Sequence, residues 1–131
     1  MVILIVISSL FVSAVTVKKS TYKINFYGNF TDEEKTMFTK HIRSYPPNLT
    51  NGLKTINFYN TDYSWKMMTK GIAGRYVFFI GRIDIYLGGI GSIDHEISHH
   101  SLFMDKKKVL PCNFNHGDCF QKRLKIVEDA V

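Results

Sequence analysis

The chain has 131 residues, of which 45% are hydrophobic, and 17 basic against 11 acidic side chains give it a net charge of +6. This length and composition fit one small globular domain rather than several. The basic residues are scattered and form no motif that combines basic and aromatic side chains, so nucleic-acid binding is not expected.

The first residues, Met1 to Val17, contain no charged side chain, and Lys18 and Lys19 follow them. The run is short for a membrane-spanning helix, which needs about 20 residues, and Val12-Ser13-Ala14 resembles a signal-peptidase site. We expect residues 1–17 to be a signal peptide or a membrane anchor, and residues 18–131 to form a single domain. A buried strand is the remaining alternative, because the run is rich in Val and Ile.

Two further features favour an exported protein. The triplets Asn29-Phe30-Thr31 and Asn48-Leu49-Thr50 match the N-glycosylation sequon. The only cysteines, Cys112 and Cys119, lie seven residues apart, a spacing compatible with one disulfide in an oxidising compartment. We therefore expect a secreted protein, or a membrane-anchored one with its domain outside the cytoplasm. The alternative is a cytoplasmic protein with two buried thiols.

Several β-prone segments and one well-marked helix precede the middle of the chain. Thr31 and Glu34 form a capping box, which predicts a helix from about Asp32 to Ser44. Residues 60–73 are polar and predict irregular structure. Strands are expected at Tyr22–Tyr27, Leu53–Tyr59, Arg75–Ile80 and Arg82–Leu87, with Gly81 joining the last two.

The last of these strands has a regular alternation. Ile83, Ile85 and Leu87 alternate with Asp84 and Tyr86, which predicts that only one face of the strand is buried. Glycines at 88, 89 and 91 then interrupt the sheet, and Ser92 is expected to cap the helix that follows.

That helix carries the most informative motif of the chain, His95-Glu96-x-x-His99. Residues four apart lie on the same helix face, so the two imidazoles can bind one zinc ion. Glu96 then lies beside the metal without ligating it and can accept a proton from an activated water. His95 and His99 are therefore predicted metal ligands, Zn²⁺ is the expected cofactor, and Glu96 is the predicted catalytic base.

A catalytic zinc site needs a third protein ligand. His100 points about 100° away from His99 around the helix and cannot share the metal. His116 is the preferred third ligand by residue type and context, because it stands where a new helix begins. The alternatives are Glu128 and Asp118, both in the helix expected from Asp118 to Ala130.

These motifs resemble the zincin metallopeptidases, and His116-Gly117-x-x-Phe120 after the His95 motif resembles the SprT-like branch of that family. The resemblance implies an α+β fold, with a small mixed or antiparallel sheet of three to four strands. An N-terminal helix, an active-site helix and a C-terminal helix would pack with this sheet. It also implies that His116 is the third ligand and that Phe120 packs the last helix onto the active-site helix. The strand before the metal helix would be an exposed edge that binds substrate, and here it comprises Ile83, Asp84, Ile85, Tyr86 and Leu87.

The resulting functional prediction is a zinc-dependent metalloendopeptidase that acts on a peptide or protein substrate. Membrane contact is expected only through the N-terminal segment, if that segment is retained. The alternative is a non-catalytic, zinc-stabilised secreted binding module, in which a fourth protein ligand such as a cysteine thiolate closes the site.

Overall fold

The structure, a computed structural model, describes residues 21–87, 89–105 and 116–131. The predicted signal or anchor segment and Cys112 lie outside the described residues, so the predicted pairing with Cys119 stays a prediction. Within these ranges the fold is mixed α+β, with one four-stranded sheet and five helices. No helix in the described part of the chain is both long enough and apolar enough to cross a membrane.

The elements follow one another in short steps. In chain order they are β1 (Lys23–Gly28), α1 (Asp32–Arg43), α2 (Pro47–Thr50), β2 (Thr55–Asn60), α3 (Asp62–Thr69), β3 (Gly74–Val77), β4 (Arg82–Tyr86), α4 (Ile90–Met104) and α5 (Asp118–Asp129). The spatial order of the strands is β1-β2-β4-β3. The β1–β2 and β2–β4 pairs are parallel and the β3–β4 pair is antiparallel, so the sheet is mixed.

One face of the sheet forms the hydrophobic core. Ile56 and Phe58 of β2 and Ile83 and Ile85 of β4 are almost fully buried on this face. They pack against apolar residues of the three longest helices, namely Phe38, Ile42, Ile93, Ile97 and Val127. Burial of a large apolar side chain contributes about 1.5–3 kcal/mol, so this layer fixes α1 and α4 on the sheet.

The opposite face carries polar and aromatic rows. The Asn57 amide donates to Asp84 at 3.2 Å, and Arg75 and Arg82 pair with the same Asp84 carboxylate at 3.3 and 3.2 Å. Tyr86, only 1% exposed, lies between the rings of Tyr59 and Tyr63. These contacts satisfy the Asp84 carboxylate that the second face of β4 buries, whereas the buried Arg82 Nε has no hydrogen-bond partner among the described residues.

The predicted position of the 83–87 strand at a sheet edge is wrong. β4 hydrogen-bonds to β2 on one side and to β3 on the other, so it is an interior strand. The alternation of aliphatic side chains with Asp84 and Tyr86 therefore does not correspond to one exposed face, because Asp84 and Tyr86 are also buried. Leu87 is not part of the strand: it has a φ of +55°, which turns the chain out of the sheet.

The capping box predicted α1 correctly. Thr31 Oγ1 accepts from the Glu34 backbone N–H and Glu34 Oε1 accepts from the Thr31 N–H, and the helix begins at Asp32. By contrast, α3 lies where irregular structure was expected. It has its own capping box, formed by Thr61 and Ser64.

The C-terminus of α3 is a Schellman motif. Gly71 has a φ of +76° and donates to the Met68 carbonyl, and the Ile72 N–H donates to the Met67 carbonyl. This turn directs the following residues, up to Gly74, towards α4.

Candidate metal centre

The orientation of α4 is set by buried polar contacts on the side away from the motif histidines. His100 is fully buried, accepts a hydrogen bond from the Tyr76 hydroxyl at Nδ1 (2.9 Å), and donates from Nε2 to the Asn51 carbonyl (2.8 Å). Burial lowers the pKa of His100 and raises that of Tyr76 to about 12, so both groups are neutral. His100 therefore links α4 to β3 and does not join the motif histidines, as the helical geometry predicted.

Asp94 fixes the same helix to α1. Its carboxylate is buried, accepts a hydrogen bond from the Tyr45 hydroxyl and lies 2.8 Å from His41 Nε2. Burial and the Asp94 carboxylate raise the pKa of Tyr45. Although Asp94 is adjacent to His95 in sequence, the side chain points to α1.

With those contacts made, the motif histidines face α5. His95 Nε2 and His99 Nε2 lie 3.2 Å apart, and His116 Nε2 lies 3.0 Å from His99 Nε2. The ligand atoms of the three residues all lie within 4.8 Å of one another. In the described part of the chain, these are the three residues whose nitrogen, sulfur or carboxylate atoms cluster closely enough to hold a metal ion.

Two separations between these nitrogens are compatible with zinc ligation. Zinc–nitrogen bonds of about 2.0–2.1 Å at tetrahedral angles separate neighbouring ligand nitrogens by about 3.3 Å, close to the 3.0 and 3.2 Å found here. As metal ligands, the three imidazoles would each be neutral and would direct one ring-nitrogen lone pair at a shared cation. Neither alternative third ligand, Glu128 or Asp118, belongs to the cluster.

His116 is held in position by the packing of α5 on α4. It precedes Gly117, the N-cap of α5, and its carbonyl accepts a hydrogen bond from the Gln121 amide. Phe120 is fully buried, and its ring centroid lies 4.5–4.8 Å from those of the three histidines. The Arg123 guanidinium donates to Ser101 of α4 and pairs with Asp105 at 3.2 Å.

The surroundings of His95 and Glu96 disfavour the charged forms of these two side chains. Burial, followed by the proximity of His99 and His116, lowers the pKa of His95 to about 4. A metal ligand must be neutral imidazole, so this shift favours metal binding. Burial alone raises the pKa of Glu96, only 6% exposed, to about 7.

A cleft of about 410 Å³ opens beside Glu96 and His95. It runs between the start of α4 and the segment that leads from α3 into β3. Besides these two residues, its lining consists of Gly71, Ile72, Ala73, Gly74, Gly91 and Ser92.

Gly74 is the residue of this cleft that the sequence did not single out. A Cβ at position 74 would lie 3.0 Å from Glu96 Oε1 and 3.1 Å from its Cγ, so a side chain here would press on the carboxyl group. The only sequence signal is the pair of glycines at 71 and 74 around Ile72 and Ala73. This pair of glycines could not have been interpreted without knowing how β3 packs against α4.

Comparison with known proteins adds nothing to this geometry, because no protein-family model, curated protein or solved structure matches the chain.

Proposed function

We propose that the protein is a zinc-dependent metalloendopeptidase of the zincin type, similar in its motifs to the SprT-like branch. The observation that carries the proposal is the convergence of three imidazole nitrogens within 4.8 Å, next to a buried glutamate that follows the first histidine. His95, His99 and His116 would hold Zn²⁺. When bound, the ion supplies Lewis acidity for the scissile carbonyl and for the attacking water.

Glu96 is proposed as the general acid–base group. A group with a pKa of about 7 is half ionised near neutral pH, where it can accept a proton from water and return it to the leaving amine nitrogen. Gly74 supports this role, because the absence of a side chain leaves the Glu96 carboxyl group room beside β3. The cleft next to Glu96 gives a substrate access to this carboxyl group.

The substrate edge is proposed to be β3 rather than β4. In the described part of the chain β3 pairs only with β4, so its other side can accept one more strand. A peptide added there would gain main-chain hydrogen bonds and would run past Gly74, directly beside Glu96. The proposed peptide-binding edge is therefore β3, the strand next to β4.

The test compares the wild type with Glu96→Gln on a set of unstructured fluorogenic peptides, with zinc content measured in parallel. Glu96→Gln should abolish hydrolysis while one zinc ion stays bound, because the amide cannot accept the proton. The matched control is Glu128→Gln, the same chemical change at an exposed position, which should retain activity. A chelator should inactivate the wild type, and added zinc should restore it.

Two outcomes would count against the proposal. Normal hydrolysis by Glu96→Gln would exclude the assigned role of this residue. A wild type that binds zinc, loses stability on chelation and hydrolyses none of the peptides would support the non-catalytic, zinc-stabilised binding module instead.

A further inference from the structure

The connection between β3 and β4 exposes large apolar side chains at the end of the molecule. It consists of Phe78, Phe79, Ile80 and Gly81, which we call the hairpin tip. Phe79 is 84% exposed and Ile80 is 51% exposed, although both are large hydrophobic residues. Single exposed apolar residues are common, but two adjacent ones on a protruding turn indicate an interaction surface.

The hairpin tip is a preformed structure. The Ile80 N–H donates to the Val77 carbonyl, and Gly81 follows with a φ of +59°. The Gly81 carbonyl accepts hydrogen bonds from the backbone of Lys54 (2.9 Å) and Thr55 (3.3 Å), which attaches the tip to the loop before β2. Little ordering is therefore needed when the exposed rings bind something.

The base of the hairpin tip is firmly packed as well. The Phe78 ring lies 4.0 Å from that of Phe79 and 5.4 Å from that of Phe103 in α4. Phe78 thus connects the two exposed side chains to the folded body. The two side chains are exposed on a tight, hydrogen-bonded turn, an arrangement that suits insertion into a soft phase.

Basic residues lie on one side of the hairpin tip. Lys54 is exposed, and its Cγ lies 3.4 Å from a Cβ built at Gly81. Arg82 follows the tip directly, and Lys23 is joined to Lys54 by a backbone hydrogen bond of 3.0 Å. The buried Asp84 carboxylate pairs with both Arg82 and Arg75. An apolar tip beside exposed lysines is complementary to an anionic lipid surface.

The register of the sheet brings the start of the domain to the same end. Lys23 pairs with Thr55, Thr55 with Arg82, and Arg82 with Val77, so the first residue of β1 lies in the row that borders the tip. The hairpin tip therefore lies at the end of the sheet where β1 begins.

We propose that the hairpin tip inserts Phe79 and Ile80 into the headgroup region of an anionic membrane, with Lys23 and Lys54 against the lipid phosphates. This contact is separate from the N-terminal segment and does not depend on the peptidase proposal. Membrane contact through the tip would also orient the candidate metal centre, because Phe103 of α4 contacts Phe78 of the tip. His99 lies four residues before Phe103, about 6 Å along the helix. The centre is therefore close to the membrane-facing end of α4.

The first experiment measures binding of the full chain to vesicles of phosphatidylcholine, with and without phosphatidylserine, by co-sedimentation. The wild type should bind the anionic vesicles more tightly, and salt should weaken this binding. Phe79→Ser with Ile80→Ser should reduce the affinity about tenfold or more, since two large apolar side chains lose their burial. The matched control, Trp65→Ser with Ile126→Ser, changes side chains that are 61% and 56% exposed elsewhere, and should have little effect.

The second experiment places a reporter at the tip and remains informative if residues 1–17 bind the vesicles. Trp65 is the only tryptophan of the chain, so Phe79→Trp combined with Trp65→Phe gives a single fluorophore at the tip. Its emission should shift to shorter wavelength with anionic vesicles, whereas that of Trp65 in the wild type should not. The proposal is overturned if the tip reporter does not shift, or if the Phe79 and Ile80 changes affect vesicle binding no more than the control. Loss of a dimer on these changes, without vesicle binding, would assign the tip to a second copy of the chain.

Discussion

Replacement of Glu96 by Gln should change how the stability of the metal-free protein depends on pH. Burial raises the pKa of Glu96 from 4.5 to about 7 in the folded state. Between these values the folded state keeps a proton that the unfolded state has released. Stability therefore falls as pH rises through this window, because the ionised carboxylate is disfavoured by its buried position.

The expected magnitude follows from the interval between the two pKa values. At 1.36 kcal/mol per pKa unit, the interval from 4.5 to about 7 corresponds to about 3 kcal/mol, as an upper limit before local relaxation. Glutamine is neutral throughout and lacks this loss. The free energy of unfolding of Glu96→Gln minus that of the wild type should therefore grow by up to about 3 kcal/mol between pH 4.5 and above pH 7.

The assay is urea unfolding with a chelator present, at several pH values across that window. The pH dependence of the wild-type unfolding free energy also contains a contribution from His95, whose pKa in the folded state is lowered to about 4. Because the folded state holds His95 neutral, this contribution makes stability rise with pH between 4 and 6.5. This contribution is common to both proteins and cancels in the difference. Glu128→Gln, at an exposed position, controls for the chemical change itself. A difference between Glu96→Gln and the wild type that stays constant with pH would refute the argument.

Three further changes test single contacts of the site. Gly74→Ala introduces a Cβ 3.0 Å from Glu96 Oε1 and should lower kcat/KM in peptide hydrolysis about tenfold or more without loss of zinc. His116→Ala should reduce zinc affinity, measured by competition with a chelator, by more than about 100-fold. Loss of a residue that only orients a ligand costs about 10–100-fold, and loss of a ligand should cost more. Asp94→Ala removes the acceptor next to the buried Tyr45 hydroxyl and His41 Nε2, which retain only each other within the described part of the chain, and should lower the free energy of unfolding by about 1–3 kcal/mol in urea titrations.

Each of these substitutions has a matched variant for comparison. Gly89→Ala adds a methyl group where no atom lies within 4 Å, so it should retain activity that Gly74→Ala loses. Glu128→Ala should leave zinc affinity unchanged, and a large loss there would restore Glu128 as the third ligand. Asp94→Asn should be milder than Asp94→Ala, because the amide oxygen can still accept the Tyr45 hydrogen bond.

The parts of this protein that the sequence predicted are those that depend on local spacing. His95 and His99 are one helical turn apart in any α-helix, and Thr31 and Glu34 specify the start of α1 through contacts within four residues. The signal for α3 was also local, but it was missed. Thr61 has Ser64 rather than a glutamate as its capping-box partner, and Gly71 marks the end of the helix through its Schellman turn.

Only the tertiary structure decided which distant residues meet. The position of β4 inside the sheet follows from β3 pairing on its other side, and no alternation within 83–87 encodes that neighbour. That His116, and not Glu128, lies beside the motif histidines depends on how Phe120 and Arg123 dock α5 on α4. Asp94 points to α1 and Gly74 lies against Glu96 for the same reason. Such contacts are set by packing between segments far apart in sequence, whereas helix spacing and caps are set by the backbone geometry of a few adjacent residues.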